Sequence, residues 1–156
     1  MKTKIKFLGI ALLGLLIFST SCEKEEEIVE EILGVTFTVS VTGDDVYKSA
    51  TAQGKMIGNS FVIESDKSDK EIKLYIPKFE KGTYYFDDTL NYATYTYHKE
   101  DPAKIYNSEK SSAFYIKITN IHSDGVKFDG EFSFTARDAN NDVKIVSGAW
   151  INVSKK

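Results

Sequence analysis

VKFDGEFSFTARDANNDVKIVSGAWINV, residues 126–153, decides the fold class. In its first half Val126, Phe128, Gly130, Phe132, Phe134 and Ala136 alternate with Lys127, Asp129, Glu131, Ser133, Thr135 and Arg137. That period of two belongs to a strand with one buried face. In its second half the apolar row is Val143, Ile145, Ala149, Ile151 and Val153, on odd numbers and interrupted by Ser147. A hairpin that brings an even row and an odd row to one face needs paired numbers with an odd sum, hence a loop with an even number of residues. Asn140-Asn141 meets this, because Asn tolerates the positive φ that a two-residue type I′ turn needs at both central positions. The register so predicted pairs Ala139 with Asp142, sets Phe134 over Ser147 and Phe132 over Ala149, and places Gly130 opposite Ile151. Trp150 then lies on the other face, near Glu131 and Asp129. A four-residue loop, Asp138 to Asn141, keeps the same faces and is the alternative.

The pattern extends upstream. Val35, Phe37, Val39 and Val41 alternate with Thr36, Thr38, Ser40 and Thr42; Ile72, Leu74 and Ile76 alternate with charged and polar neighbours until Pro77; Phe114, Ile116 and Ile118 repeat the motif. Gly58-Asn59 reads as a turn, YATYTYH (92–98) as a strand, and KEDPAKIYNSEKSS (99–112) as a long connection. Helical periodicity past the N-terminal segment is limited to a turn or two at EEEIVEEIL (25–33). Eight or more short strands, rich in Tyr, Phe and Thr and poor in Pro, define an all-β chain: an antiparallel up-and-down or meander sandwich, or a partly closed barrel, ending in a long C-terminal hairpin. Strands of about 11 residues are long for a sheet, and Gly130 and Gly148 are expected to let them coil. Neighbours in sequence are expected to be neighbours in the sheet. Residues 35–156 form the single domain.

The N-terminus carries a different signal. Lys2, Lys4 and Lys6 precede a 12-residue apolar run, Phe7 to Phe18, and then Ser-Thr-Ser before Cys22. A basic start, a short apolar run and small residues before a cut site describe a secretory signal over residues 1–21. The run is too short to span a bilayer, which takes about 20 residues. Cys22, the one cysteine of the chain, resembles the acylated cysteine of a bacterial lipobox, with Ser21 fitting the position before it and Ser19 in place of the usual Leu. A lone thiol has no disulfide to make in an oxidising compartment. Glu23, Lys24, Glu25, Glu26 and Glu27 resemble the acidic export tag of Bacteroidota surface lipoproteins, so residues 22–34 read as a lipidated tether. The resemblance implies an outer-membrane anchor with the domain facing the exterior. The alternative is a merely solvated linker.

Beyond Cys22, 134 residues remain with 17 basic and 23 acidic side chains, a balance of −6. Such a charge disfavours nucleic acid and direct docking on anionic lipid.

The order GTYYF…NYATY, YNS…FYIKIT and FDGEFSFTARD…VKIVSGAW behind a lipobox is similar to a group of small Bacteroidota lipoproteins classed as a domain of unknown function. The resemblance covers about residues 35–153 and implies an exported β domain without an assigned activity.

Candidate chemistry is sparse. His98 and His122 each have an acid two positions on, Glu100 and Asp124, but lack the local spacing of a zinc site. Asp138, Asn140 and Asp142 alternate as in a calcium loop yet lack its glycine and distant glutamate. The sequence has no Gly-x-Ser-x-Gly elbow and no phosphate-binding Gly-rich loop. The chain is read as non-enzymatic, with no cofactor and no metal.

Two surface candidates remain. Tyr84–Tyr97 holds several tyrosines, and Tyr95 and Tyr97 share a face; tyrosine offers a flat rigid surface with a polar tip, suited to a glycan or a surface protein. Trp150 is the second. Both are equally open to a core reading. Asp88-Thr89-Leu90 resembles the O-glycosylation acceptor of exported Bacteroidota proteins, which marks Thr89. The expected function is a lipid-anchored, non-catalytic binding domain; the alternatives are a lipocalin-like carrier, which needs a large apolar cavity, and a structural envelope component. Cys22→Ala should move the chain from the membrane fraction to the soluble one on cell fractionation; continued sedimentation with membranes would refute the lipid anchor.

Overall fold

The computed structural model describes Gly34 and residues 36–44, 46–49, 51–98, 100–101 and 104–156. The signal segment, Cys22 and the acidic tag lie outside the described residues. From Gly34 onward the chain is one compact unit, and among the described residues it forms eleven strands. These are β1 (Thr36–Val41), β2 (Tyr47–Ser49), β3 (Gln53–Ile57), β4 (Ser60–Lys67), β5 (Lys70–Ile76), β6 (Gly82–Tyr84), β7 (Tyr92–Tyr97), β8 (Ile105–Ser108), β9 (Tyr115–Ile121), β10 (Lys127–Arg137) and β11 (Val143–Lys155).

All of them belong to one sheet, in the order β2-β1-β11-β3-β4-β5-β7-β8-β10-β9-β6, with a further β10–β11 pairing. Hydrogen bonding therefore runs in a ring through β11, β3, β4, β5, β7, β8 and β10. Two short contacts close it. Ser154 and Lys155 pair with Gln53 and Gly54, and Ala136 and Arg137 pair with Ser108 and Asn107.

The all-β class and the long terminal hairpin are as expected, and three features differ. First, β3 runs parallel to β11, so the sheet is mixed. Second, β1 pairs on one edge with its sequence neighbour β2 and on the other with β11, at the far end of the chain. Third, β6 is drawn out of the β5–β7 meander to pair with β9.

The hairpin register also differs from the predicted one. Arg137 opposes Val143, Phe134 opposes Val146, Phe132 opposes Gly148 and Gly130 opposes Trp150, around a five-residue loop, Asp138 to Asp142. The cause is Asp138. Its carboxylate Oδ1 accepts the N–H groups of both Asn140 and Asp142, and only Asn141 takes a positive φ, 65°. With an odd loop, even-numbered residues of both strands face inward. Val146 and Trp150 are buried, whereas Val143, Ile145 and Ile151, the expected core row, are 41%, 51% and 53% exposed.

Pairing of large with small governs this register, between other partners than predicted. A Cβ on Gly130 would sit 2.1 Å from Trp150 Cζ2, and one on Gly148 would sit 2.8 Å from the Phe132 ring. The indole and the phenyl ring thus lie directly on backbone. Past Trp150 a β-bulge shifts the register so that Phe128 opposes Val153. Asn152, at φ 57°, absorbs the extra residue. The parity flips, and Val153 turns inward as fully buried core.

The inward rows meet in one core. Phe37, Phe132 and Trp150 stack with centroids 5.7–6.2 Å apart, and Trp150, Phe128 and Phe61 continue edge to face. Gly54 makes room for these last two rings, since a Cβ there would lie 2.4 Å from Phe61 and 2.8 Å from Phe128. Contacts of this kind stabilise beyond the area they bury, by about 1 kcal/mol per pair.

The register is testable by mutation. Gly130→Ala should lower stability by about 3 kcal/mol, because the new methyl meets both Trp150 and the Lys117 carbonyl. Ile151→Ser should stay within about 0.5 kcal/mol of the parent. Urea unfolding midpoints measure both; the even-loop register would make Ile151→Ser the damaging change.

Candidate functional site

The ladder between β7 and β8 covers Thr94, Tyr95 and Thr96 against Asn107, Tyr106 and Ile105, and then stops. At Asn107 β8 pairs with β7 and β10 on its two edges, and beyond it Ser108 pairs with β10 alone. The Ala93 N–H, which a continued ladder would have given to backbone, is taken by Ser108 Oγ at 2.8 Å. The two strands fork.

The segment between β6 and β7 lies beside the fork. Asp87 and Asn91 form a backbone bridge, and Asp87 Oδ1 accepts the Thr89 hydroxyl and the N–H groups of Thr89 and Leu90. Those donors, the Thr89 hydroxyl first, hold the Asp87 carboxyl below the usual aspartate range. Phe86 is fixed edge-on against Phe114, centroids 5.3 Å apart.

Between these elements opens a cleft of about 190 Å³, lined by Phe86, Asp88, Tyr92, Ala93, Asn107 and Ser108. Tyr92 faces outward because it alternates with the inward Ala93 and Tyr95. Tyr75, opposite it on β5, stacks on it at 4.2 Å with the rings 11° from parallel. Burial, and then the neighbouring Tyr92, raise the Tyr75 pKa. The ring of Tyr92, one of the lining residues, is thereby held by Tyr75 on one face.

The sequence-predicted contact residues are elsewhere. Tyr95 is 0% exposed and Trp150 1% exposed, so neither can present its ring to a partner. Tyr95 reaches inward and donates to Asp44 Oδ2 at 2.9 Å. Burial, and then this hydrogen bond, push its pKa well up. Tyr106 likewise donates to Asp142 Oδ2 at 2.8 Å, and that bond holds the Asp142 carboxyl low. Tyr97 is half-buried, with Lys70 Nζ 5.3 Å from its centroid. Thr89 is exposed at the turn beside the cleft.

Tyr92 and Tyr75 were missed, although a signal existed. Each alternates with residues destined for the core, Tyr92 with Ala93 and Tyr95, Tyr75 with Leu74 and Ile76, so parity alone puts both outside. Phe86, Asn107 and Ser108 meet Tyr92 only through the fork.

The other candidates serve the fold. His98 Nδ1 lies 3.3 Å from Asp69, and His122 Nε2 lies 3.0 Å from both oxygens of Asp129. Different elements hold the two histidines. Asp124 caps the backbone of Val126 and Lys127. Asp138 and Asp142 are committed to the hairpin loop and to Tyr106, and among the described residues no group of three or more His, Cys, Asp or Glu side chains could hold a metal.

Asp129 clamps the bulge. Besides His122, it accepts the Asn152 N–H at 2.9 Å and the Asn120 amide at 3.2 Å. Burial pushes its carboxyl up, but Asn152, His122 and Asn120 together outweigh it, and the pKa falls below 3.8. A depressed pKa means stability that is fully present above the ordinary value and lost as pH falls through the folded-state value. Asp129→Ala should therefore cost about 1–3 kcal/mol at neutral pH, and the deficit against the parent should shrink below about pH 4. Urea titrations at several pH values check this; a pH-independent deficit would remove the electrostatic account.

No curated protein and no solved structure matches the chain. A family model described as a domain of unknown function, DUF6252, matches residues 37–154, from the second residue of β1 to the penultimate residue of β11, and the chain belongs to that family.

Proposed function

We propose that this member of the family is an outer-membrane lipoprotein of the Bacteroidota type, anchored through acylated Cys22 and carrying its β domain on the cell exterior as a non-catalytic binding module. The observation that carries the binding reading is the outward cleft at the β7–β8 fork on a body whose interior is occupied. A carrier of the lipocalin kind would need several hundred Å³ of internal space. Here the interior is taken by rings in contact: Phe37, Phe132, Trp150, Phe128 and Phe61 form a continuous chain. Recognition then falls to the surface, where a rigid tyrosine pair borders a recess with polar side chains. The lipobox-like segment and the acidic tag support the placement.

The location and the binding are tested together. Protease treatment of intact cells should remove the β domain while an inner-leaflet lipoprotein survives. The full chain, immobilised in a sugar-free detergent, should retain solubilised envelope material that the Tyr92→Ala variant does not. Survival of the domain on intact cells, once lysed cells prove it cleavable, would overturn the exterior placement; identical retention by both chains would overturn the binding module.

A further inference from the structure

We propose that the cleft at the fork of β7 and β8 takes one neutral pyranose ring, stacked on Tyr92. The inference deepens the binding-module reading and rests on it.

Size comes first. At about 190 Å³ the recess falls short of the roughly 300–1,000 Å³ of drug-sized ligand pockets. An acyl chain or a peptide side-chain cluster would overfill it, whereas a single six-membered ring fits.

The walls come second. A pyranose presents C–H groups on its faces and hydroxyls around its rim. It therefore needs a flat apolar surface on one side and donors and acceptors at the edge. Tyr92 supplies the surface, already immobilised by Tyr75, so little side-chain entropy remains to be lost on binding. Phe86, pinned by Phe114, adds a second apolar wall.

The polar groups come third. Asp88 and Asn107 line the recess, and among the described residues their side chains are not spent on hydrogen bonds within the fold. A carboxylate accepts two neighbouring hydroxyls and a carboxamide both donates and accepts, the mixture that vicinal hydroxyls require. Ser108 Oγ already accepts the Ala93 N–H and keeps its own O–H to donate.

Charge comes last. Among the described residues the ionisable lining groups are Asp88 and the Tyr92 phenol, with no Lys or Arg in the lining. An anionic sugar or a phosphate would meet an unopposed carboxylate. A neutral hexose or an N-acetylhexosamine would not.

The test is saturation-transfer NMR on the full chain in a sugar-free detergent, with the methyl β-glycosides of glucose, galactose, mannose and N-acetylglucosamine as probes. At least one should receive saturation on its face C–H protons, with a dissociation constant on the order of 1 mM, as a single subsite allows. Tyr92→Ala and Asn107→Ala should each weaken it by roughly ten-fold, the loss of one good contact. Tyr92→Phe, which keeps the ring, should leave it within about two-fold. The far-ultraviolet dichroism of each variant shows that it is folded. Silence from all four probes at about 20 mM, twenty times the constant expected, or transfer undiminished in Tyr92→Ala, would overturn the proposal. If the probes are silent while retention of envelope material still depends on Tyr92, the sugar assignment fails and the binding module stands; if that retention is also lost, both fail.

Discussion

The indole of Trp150 lies against the bare backbone of Gly130, and much of the remaining geometry follows from that seat. A side chain at position 130 would occupy the space of the indole and of the Lys117 carbonyl. With Trp150 placed there, the register of β10 against β11 is set, and Phe132 must lie over Gly148. Phe37 completes the stack from β1, the strand that lies between β2 and β11.

The same long strand cannot keep one parity from end to end. Asn152 inserts a residue, Asp129 holds its N–H, and Val153 turns back into the core opposite Phe128. The bulge also increases the local twist. It lies just before Ser154 and Lys155, which stay with the hairpin on one edge, Ser154 opposite Lys127, and pair with β3 on the other. A strand of 13 residues thus joins β10 along most of its length, β1 along its middle and β3 at its tip. At the other closure β10 accepts β8 beyond the end of β9. That closure draws β8 away from β7 and opens the cleft beside Tyr92. The candidate site is in this sense a by-product of closing the ring: the β7 ladder ends at Asn107 while the β10 ladder goes on to Ser108, Ser108 caps the Ala93 N–H, and a recess remains.

The tyrosines divide by the same logic. Tyr95 and Tyr106 point inward and need acceptors for hydroxyls that burial would otherwise strand, so Asp44 and Asp142 come from the β1–β2 and β10–β11 loops to receive them. Tyr75 and Tyr92 point outward, need no such partner, and stack on each other. One residue type therefore serves as core and as surface within a single strand, and only the side of the strand distinguishes the two uses.

What the sequence alone determined is the all-β class, the long terminal hairpin and the inward rows of β1, β5 and β9, because a period of two and a chain rich in Tyr, Phe and Thr permit little else. The inward face of β11 was beyond it. Parity counts depend on loop length, and the loop length followed from Asp138 binding two backbone N–H groups rather than from the Asn-Asn pair in its centre. A bulge then reversed the parity again within the same strand, so the odd-numbered apolar row that looked like core became the exposed row. Trp150 and Tyr95, legible as large aromatic residues, were not legible as interior ones, since their burial depends on Gly130 and on Asp44, far away in sequence. The cleft at the fork depends on tertiary structure entirely. It exists where β8 changes partners, and a change of partner is a decision of the closed sheet that leaves no local mark on the residues that line it.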